Sequence, residues 1–280
     1  MKSLIVNKKY DSKKLNNFIL DSFPNLSKNT LYKALRKKDI RVNDKRVNDN
    51  ITIFENDEIK VFISDELLEG NTPLDIIYED DNILVINKSV NLEVTGVNSL
   101  TSILEKKYQF IKPCHRIDRN TTGLVLFAKN QEALDILLDK FKNREIEKHY
   151  QTTVFGIPKI KKARLEAYLF KDNKKSIVYI SDTPKTGYQK IITSYKVISE
   201  NKKDNISLLD IELETGRTHQ IRAHLAHIGY PIIGDGKYGI NEINKKFNQK
   251  TQLLTSNSIK FCFNTPSGTL EYLNGTEIKL

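Results

Sequence analysis

Three separated stretches hold polar residues that a core-building segment does not need. They are His115-Arg116-Ile117-Asp118-Arg119, Glu147-Lys148-His149-Tyr150, and the run LETGRTHQIRAHLAHIGYPIIGDGKYG from Leu213 to Gly239. Asp118 stands between two arginines, ahead of a Thr121-Thr122-Gly123 turn and the apolar run LVLFA. Such a carboxylate has three readings: a surface ion-pair partner of little energetic value, a helix cap, or the reactive carboxylate of an enzyme. Tyr150 reads equally as a strand residue with its ring in the core, and Arg217 as a cap on Glu214. The residue types leave these alternatives open. Other chemistries lack their signatures. There is no GxGxxG fingerprint and no P-loop, so dinucleotide redox and phosphate-donor chemistry are not expected. His219, His224 and His227 are close in sequence, but residues five apart on a helix point about 140° apart. No acidic ligand stands at helical spacing beside them, so no metal is expected. Cys114 and Cys262 form no CxxC pair and are read as reduced thiols of a cytoplasmic protein.

The elements that must position these groups follow from periodicity. In the first 64 residues, KKLNNFILDSF has apolar Leu15, Phe18, Ile19 and Phe23 near helical spacing. Ser27 is placed to cap SKNTLYKALRKKD, whose Leu31 and Leu35 share a face. Its other side carries Lys28, Arg36 and Lys37, with Lys33 flanking. Two strand-like runs with Asn-Asp turns follow. SDELLEGNTPLD is acidic and polar with Gly70 and Pro73, so 65–73 reads as a linker. From Leu74 onward strands outnumber helices: IIYEDDNILVINK as strand, acidic turn and strand, then LVLFA, HYQTTVFG, YQKIITSYKVI, ISLLDIELE, and FCFNTPSGTLEYL as a closing strand and turn. TSILEKKY, NQEALDILLDKFKNREI and RTHQIRAHLAHIG read as helices, the last stopped by Gly229. Many strands follow each other directly, which predicts an α+β fold: a mixed, largely antiparallel sheet with packed helices, preceded by a small N-terminal α/β domain.

The chain has 280 residues and a formal charge of +10. Residues 1–64 carry 14 basic and 8 acidic residues, a net of +6, so more than half the excess lies in a dedicated basic module. Nucleic acid is the commonest partner of such a module. No run of eighteen apolar residues is present, so no membrane span is expected. The N-terminus lacks a secretion signal's apolar core and is read as mature sequence.

Together the three stretches resemble the RluA-type pseudouridine synthases. The family pattern HRLDxxTSGLLLxAK stands here as HRIDRNTTGLVLFAK, the lysine-x-tyrosine element as KHY, and LxTGRxHQIRxHLxxxGxPIxGDxxYG as LETGRTHQIRAHLAHIGYPIIGDGKYG. The order is the family's, and the resemblance spans about Leu74 to the C-terminus. The long third motif is the most specific. Residues 1–64, with LSKNTLYKALRKKDIRVNDKRV and ENDEIKVF, resemble the small RNA-binding fold called the alpha-L motif, named after a ribosomal protein. The resemblance divides the chain into an RNA-binding domain at 1–64, a linker at 65–73 and a catalytic domain at 74–280.

The resemblance implies isomerisation of uridine to pseudouridine in structured RNA, ribosomal or transfer, with base flipping and no cofactor or metal. The N1–C1′ bond breaks, the uracil turns, and C5 joins C1′. By resemblance Asp118 meets the electron-poor C1′, as carboxylates do in glycoside hydrolysis. Whether it attacks carbon or removes a sugar proton stays open. Arg217 is, by resemblance, the cation that keeps Asp118 ionised, and Tyr150 the ring that stacks on the target base, with its phenol as an alternative acceptor of the C5 proton although a free tyrosine pKa near 10 makes it a poor base. Arg116 matches a position that fills the space left by the flipped base, or else contacts phosphate. Arg119 is expected to face RNA, together with Lys28, Lys33, Arg36, Lys37 and Arg41 of the front domain. His115, Thr122, Gly123, His219 and Gln220 are expected to shape the site through hydrogen bonds. The alternative is a catalytically silent RNA-binding or RNA-folding protein on the same scaffold, against which the trio Asp118, Tyr150 and Arg217 argues. A monomer is the default. One departure from the family is Lys88-Ser89-Val90-Asn91, where Lys-Pro-Ala-Gly is usual. Asn tolerates left-handed geometry, so the turn is expected to survive.

Overall fold

A computed structural model describes residues 1–64, 67–68 and 74–280. The linker expected at 65–73 lies almost wholly outside the described residues. The chain divides into two compact units, Met1–Pro73 and Leu74–Leu280.

In the first unit, β1 (Lys2–Ile5) and β2 (Lys13–Lys14) precede α1 (Leu15–Ser22) and α2 (Lys28–Lys37). Leu15, Phe18 and Ile19 are buried on α1, and Leu31, Ala34 and Leu35 on α2, the i, i+3, i+4 spacing of a one-sided helix. Ser27 caps α2, its hydroxyl accepting from the Thr30 N–H at 3.1 Å. β3 (Ile40–Val42), β4 (Lys45–Val47), β5 (Thr52–Ile53) and β6 (Glu58–Val61) follow. Asn43 and Asp44 join β3 to β4 with φ of 48° and 62°, the paired positive values of a type I′ hairpin. The sheet order is β1-β6-β3-β4, antiparallel throughout.

The second unit is built on one eleven-stranded sheet. Its strands are β7 (Asp75–Glu79), β8 (Ile83–Lys88), β9 (Lys112–Pro113), β10 (Thr122–Ala128), β11 (Ile146–Phe155), β12 (Lys162–Asp172), β13 (Ile177–Ser181), β14 (Gln189–Asn201), β15 (Ile206–Leu213), β16 (Leu254–Phe261) and β17 (Glu277–Lys279). The main order is β13-β12-β14-β15-β11-β16-β10-β8-β7, with β17 on β16 and β9 on β10. Every pairing is antiparallel except β10 with β16. The helices are α3 (Leu100–Leu104), α4 (Gln131–Lys142), α5 (Gln220–His227) and α6 (Asn241–Lys246). This is the expected mixed, largely antiparallel α+β architecture. The acidic turn between β7 and β8 is closed by Asp80, whose carboxylate accepts from the Asn82 and Ile83 N–H groups.

Several local readings change. The helix read to Ile146 stops at Lys142, with Ile146 opening β11, and the one read to Tyr108 stops at Leu104. The helix drawn from Arg217 begins at Gln220, because His219 sits at φ 54° outside the helical region. The strand read from Phe261 instead ends there, as β16 runs Leu254–Phe261; Gly268–Leu273 forms a 3-10 helix, and a further strand, β17, closes the chain. The stop of α5 is as expected: Gly229 has φ 87° and its N–H reaches the Ala226 carbonyl.

Candidate active site

β10, buried along nearly its whole length, follows the segment that carries Asp118. Just before it the chain turns sharply: the Thr121 N–H donates to the Asp118 carbonyl at 3.0 Å, which throws the Asp118 side chain off the end of the strand. Gly123 is required here. Its φ is 106°, and a Cβ would lie 2.2 Å from the Ser256 carbonyl oxygen on the parallel neighbour β16. The Thr122 hydroxyl bonds the Thr255 hydroxyl at 2.8 Å, and Gln252 Nε2 donates to Thr121 Oγ1 at 2.7 Å. These contacts lock the turn to β16.

Asp118, Tyr150, Arg217, Arg116, His115, His219 and Gln220 line one cavity of about 240 Å³. The three stretches thus converge, although 99 positions separate Asp118 from Arg217 (217 − 118). A second cavity of about 500 Å³ shares Asp118 and Arg116 with the first and includes Arg119, Lys171 and Lys237.

The cation on Asp118 is Arg222, not Arg217. Arg222 Nη1 donates to Asp118 Oδ2 at 2.8 Å, and its Nε and Nη2 grip Asp235 at 2.7 and 2.9 Å. The physical reason lies in the helix start. Arg217 precedes the His219 kink and is exposed, while Arg222 lies inside α5 and is buried. Glu214 is not capped by Arg217 either; Arg164 takes it with Nε and Nη2 at 2.6 and 2.7 Å. Asp235 is fully buried. Burial pushes its carboxyl upward, but the Arg222 guanidinium overrides this and holds it below the usual carboxylate range.

The supporting residues divide by what they touch. Gln220 is buried; its Nε2 donates to the Ile192 carbonyl and Thr193 hydroxyl, and its Oε1 accepts from the Arg217 N–H. It therefore fixes the backbone that carries Arg217. His219 Nδ1 lies 2.9 Å from the Tyr238 hydroxyl, with Nε2 at 4.0 Å from Asp118. Burial lowers its pKa to about 4, against the pull of Asp118. His115 Nε2 accepts from the Leu126 N–H at 3.1 Å, and burial with nearby Lys148 lowers its pKa to about 3. Both imidazoles are neutral near pH 7. Tyr150 is 5% exposed, and burial, then the Asp118 charge, pushes its phenol well above the usual range.

Arg119 is less free than the sequence implied, because its Nε donates to the Asn91 carbonyl at 3.3 Å. Arg116 is exposed. In the first unit Lys28, Lys33, Arg36 and Lys37 are exposed and Arg41 is half-buried over the Phe62 ring at 4.8 Å. The three histidines form no metal cluster: His224 bonds Thr193 and His227 bonds Asp182, and no group of three metal-ligating side chains occurs among the described residues.

Four residues escaped the sequence reading. Arg222 and Asp235 stood inside the third motif, but only the helix register shows which arginine turns inward. Lys148 stood inside KHY and lines the cavity. Lys88 was read only as the start of a divergent loop. Its ammonium is buried and donates to the carbonyls of Ser89, Leu92 and Arg119 at 2.9, 2.7 and 3.2 Å. It ties that loop to the Asp118 turn. Burial lowers its pKa to about 8, with the Asp118 charge opposing. The loop itself keeps its turn, with Asn91 at φ 64°.

The site joins a carboxylate clamped by a shared guanidinium to a buried tyrosine from the central strand β11, and the family comparison gives the class of protein that carries it. The profile of the RNA pseudouridylate synthase family matches residues 82–227. The chain belongs to that family. A ribosomal large subunit pseudouridine synthase C of Buchnera aphidicola subsp. Baizongia pistaciae is 31% identical, over 90% of this chain and 86% of that protein. An uncharacterized RNA pseudouridine synthase of Chlorobaculum parvum is 31% identical over 85% of this chain and 78% of its own. A third, of Bacillus subtilis, is 33% identical, but the alignment spans only 58% of that relative. The human RNA pseudouridylate synthase domain containing 1 shares the fold, with a TM-score of 0.58 at 21% identity over 74% of this chain and 89% of that one.

Proposed function

We propose that this protein converts a particular uridine of large-subunit ribosomal RNA to pseudouridine, with Asp118 as the carboxylate that meets C1′. The observation that carries the reading is the cavity in which Asp118 is held by Arg222 and faced by Tyr150. Relatives named as large-subunit enzymes support the choice of RNA. Tyr150 stacks on the flipped uracil. Arg217, at the cavity mouth, contacts the RNA backbone rather than Asp118. Arg116 occupies the space vacated by the base, and Arg119 lines the adjoining groove. Flipping costs a few kcal/mol of stacking, which these contacts offset. The first unit acts as an alpha-L RNA-binding domain through Lys28, Lys33, Arg36, Lys37 and Arg41. The enzyme works as a cytoplasmic monomer without metal or cofactor.

The test is to map pseudouridines across total RNA from cells with and without the gene, and with the gene encoding Asp118→Asn. One large-subunit position should lose its pseudouridine in both the null and the variant, while the purified variant keeps its RNA affinity. A lost position in transfer RNA instead corrects the substrate. Normal pseudouridine formation by Asp118→Asn removes the assignment.

A further inference from the structure

Lys148 is the one charged group of the cavity to which the reading above gives no work. It lies two residues before Tyr150 on β11, so both side chains leave the same face of the strand. Both line the same cavity as Asp118. The residue is half-buried. Its ammonium has no hydrogen-bond acceptor and no carboxylate partner among the described residues. The Phe141 ring lies 5.1 Å from Nζ to the centroid, and His115 is close enough to feel its charge. Nζ points toward Gly216, where an added Cβ would stand 3.5 Å away. Burial pushes its pKa down from the lysine value. A shielded ammonium without an acceptor carries a standing desolvation cost. An anionic oxygen in the cavity relieves that cost.

The chemistry supplies such an oxygen. When N1–C1′ breaks, the bonding pair stays on the uracil, which becomes an anion with charge on its ring nitrogens and carbonyl oxygens. Asp118 carries the same sign and cannot stabilise it. Arg222 is committed to Asp118 and Asp235. His115 and His219 are neutral near pH 7. Arg116 and Arg217 are exposed. Lys148 remains.

We propose that the Lys148 ammonium is the counter-charge of the detached uracil, donating a hydrogen bond to one of its carbonyl oxygens while the ring turns over Tyr150. This rests on the uridine-isomerase reading of the same cavity. Lys148 gives up no proton in this step. The uracil anion then uses C5 to bond C1′, C5 loses its proton, and N1 gains one, so atoms and electrons balance without a co-reactant.

The test compares wild type, Lys148→Met and Lys148→Arg in single-turnover reactions on two matched RNAs, one with uridine and one with 5-fluorouridine at the target. C5 of 5-fluorouridine bears fluorine and has no proton to lose, so the rate on both RNAs is read as loss of the N1-linked nucleoside after nuclease digestion and mass spectrometry, with RNA affinity measured in parallel. Fluorine makes uracil a better leaving group, so it needs less help. Lys148→Met should slow uridine by about 10²-fold, the scale of one lost electrostatic donor. The defect should shrink markedly with 5-fluorouridine, RNA affinity should hold, and Lys148→Arg should recover most of the rate. An equal defect on both RNAs, or a loss confined to affinity, overturns the proposal and makes Lys148 a positioning or phosphate-binding group. A wild-type rate in Lys148→Met also overturns it. Wild-type protein inactive on both RNAs and on total RNA overturns the functional reading itself.

Discussion

Arg222 and Asp118 meet at 2.8 Å through one guanidinium nitrogen, while the other two nitrogens of Arg222 are held by buried Asp235. The Asp118 carboxylate is therefore oriented from a residue it does not touch. A planar guanidinium gripped along one edge presents a fixed nitrogen on the other. Asp235 is itself held by the N–H groups of Lys237 and Tyr238 at 2.8 and 3.1 Å.

Replacing Asp235 by Asn should remove both stability and activity. The buried Arg222 keeps a single counter-charge, and breaking such a pair costs about 3 kcal/mol or more. Thermal unfolding should shift down by several degrees, and the uridine rate should drop more than RNA affinity. Unfolding unchanged from wild type contradicts the clamp.

Tyr150→Phe should keep most of the activity. Burial and the Asp118 charge raise the phenol's pKa, so it stays protonated through the working range and is a poor base. A loss of about 10²-fold or more would mark proton transfer by the hydroxyl instead. The linkage has a sign as well. A raised native pKa adds stability that is present below pH about 10 and lost as pH climbs beyond it. Alkaline melts of wild type and Tyr150→Phe should diverge there.

His224 is buried against Thr193, and burial lowers its pKa to about 4. The unfolded imidazole titrates near 6.5. Between these values the unfolded chain binds more protons, so stability falls as pH drops from 6.5 toward 4. His224→Gln should flatten that part of a stability-versus-pH curve. A slope identical to wild type refutes this origin.

The triple variant Lys33→Gln, Arg36→Gln, Lys37→Gln in the full chain should weaken RNA binding and reduce its salt dependence. Each lost phosphate contact lowers the slope of log affinity against log salt by about 0.7–0.9. Affinity titrations at several salt concentrations read this directly. An unchanged slope removes the first unit's basic helix from the RNA interface.

Much of this protein was legible as a string of residues. Periodicity gave α1, α2 and α4 with their buried faces, because a one-sided helix must repeat near every 3.6 residues. The Asn-Asp turn and the Ser27 cap were readable because each is a local backbone requirement. Gly123 was readable as part of a turn, though the 2.2 Å approach of Ser256 that makes it obligatory was not. That contact crosses 133 positions (256 − 123).

The partner of Asp118 belongs to the other kind of fact. Arg217 and Arg222 are five residues apart in one motif, and composition ranks them equally. A single left-handed residue, His219, decides between them. It delays the helix to Gln220, leaves Arg217 in solvent and turns Arg222 inward onto Asp118 and Asp235. Lys88 likewise read as the start of an altered loop, and only folding showed its ammonium stitched to three carbonyls around the Asp118 turn. The sequence itself determined which side chains exist and which local elements they form, since those depend on near neighbours. Tertiary structure alone decided which cation meets which carboxylate, because that depends on how strands and helices far apart in the chain are brought to the same cavity.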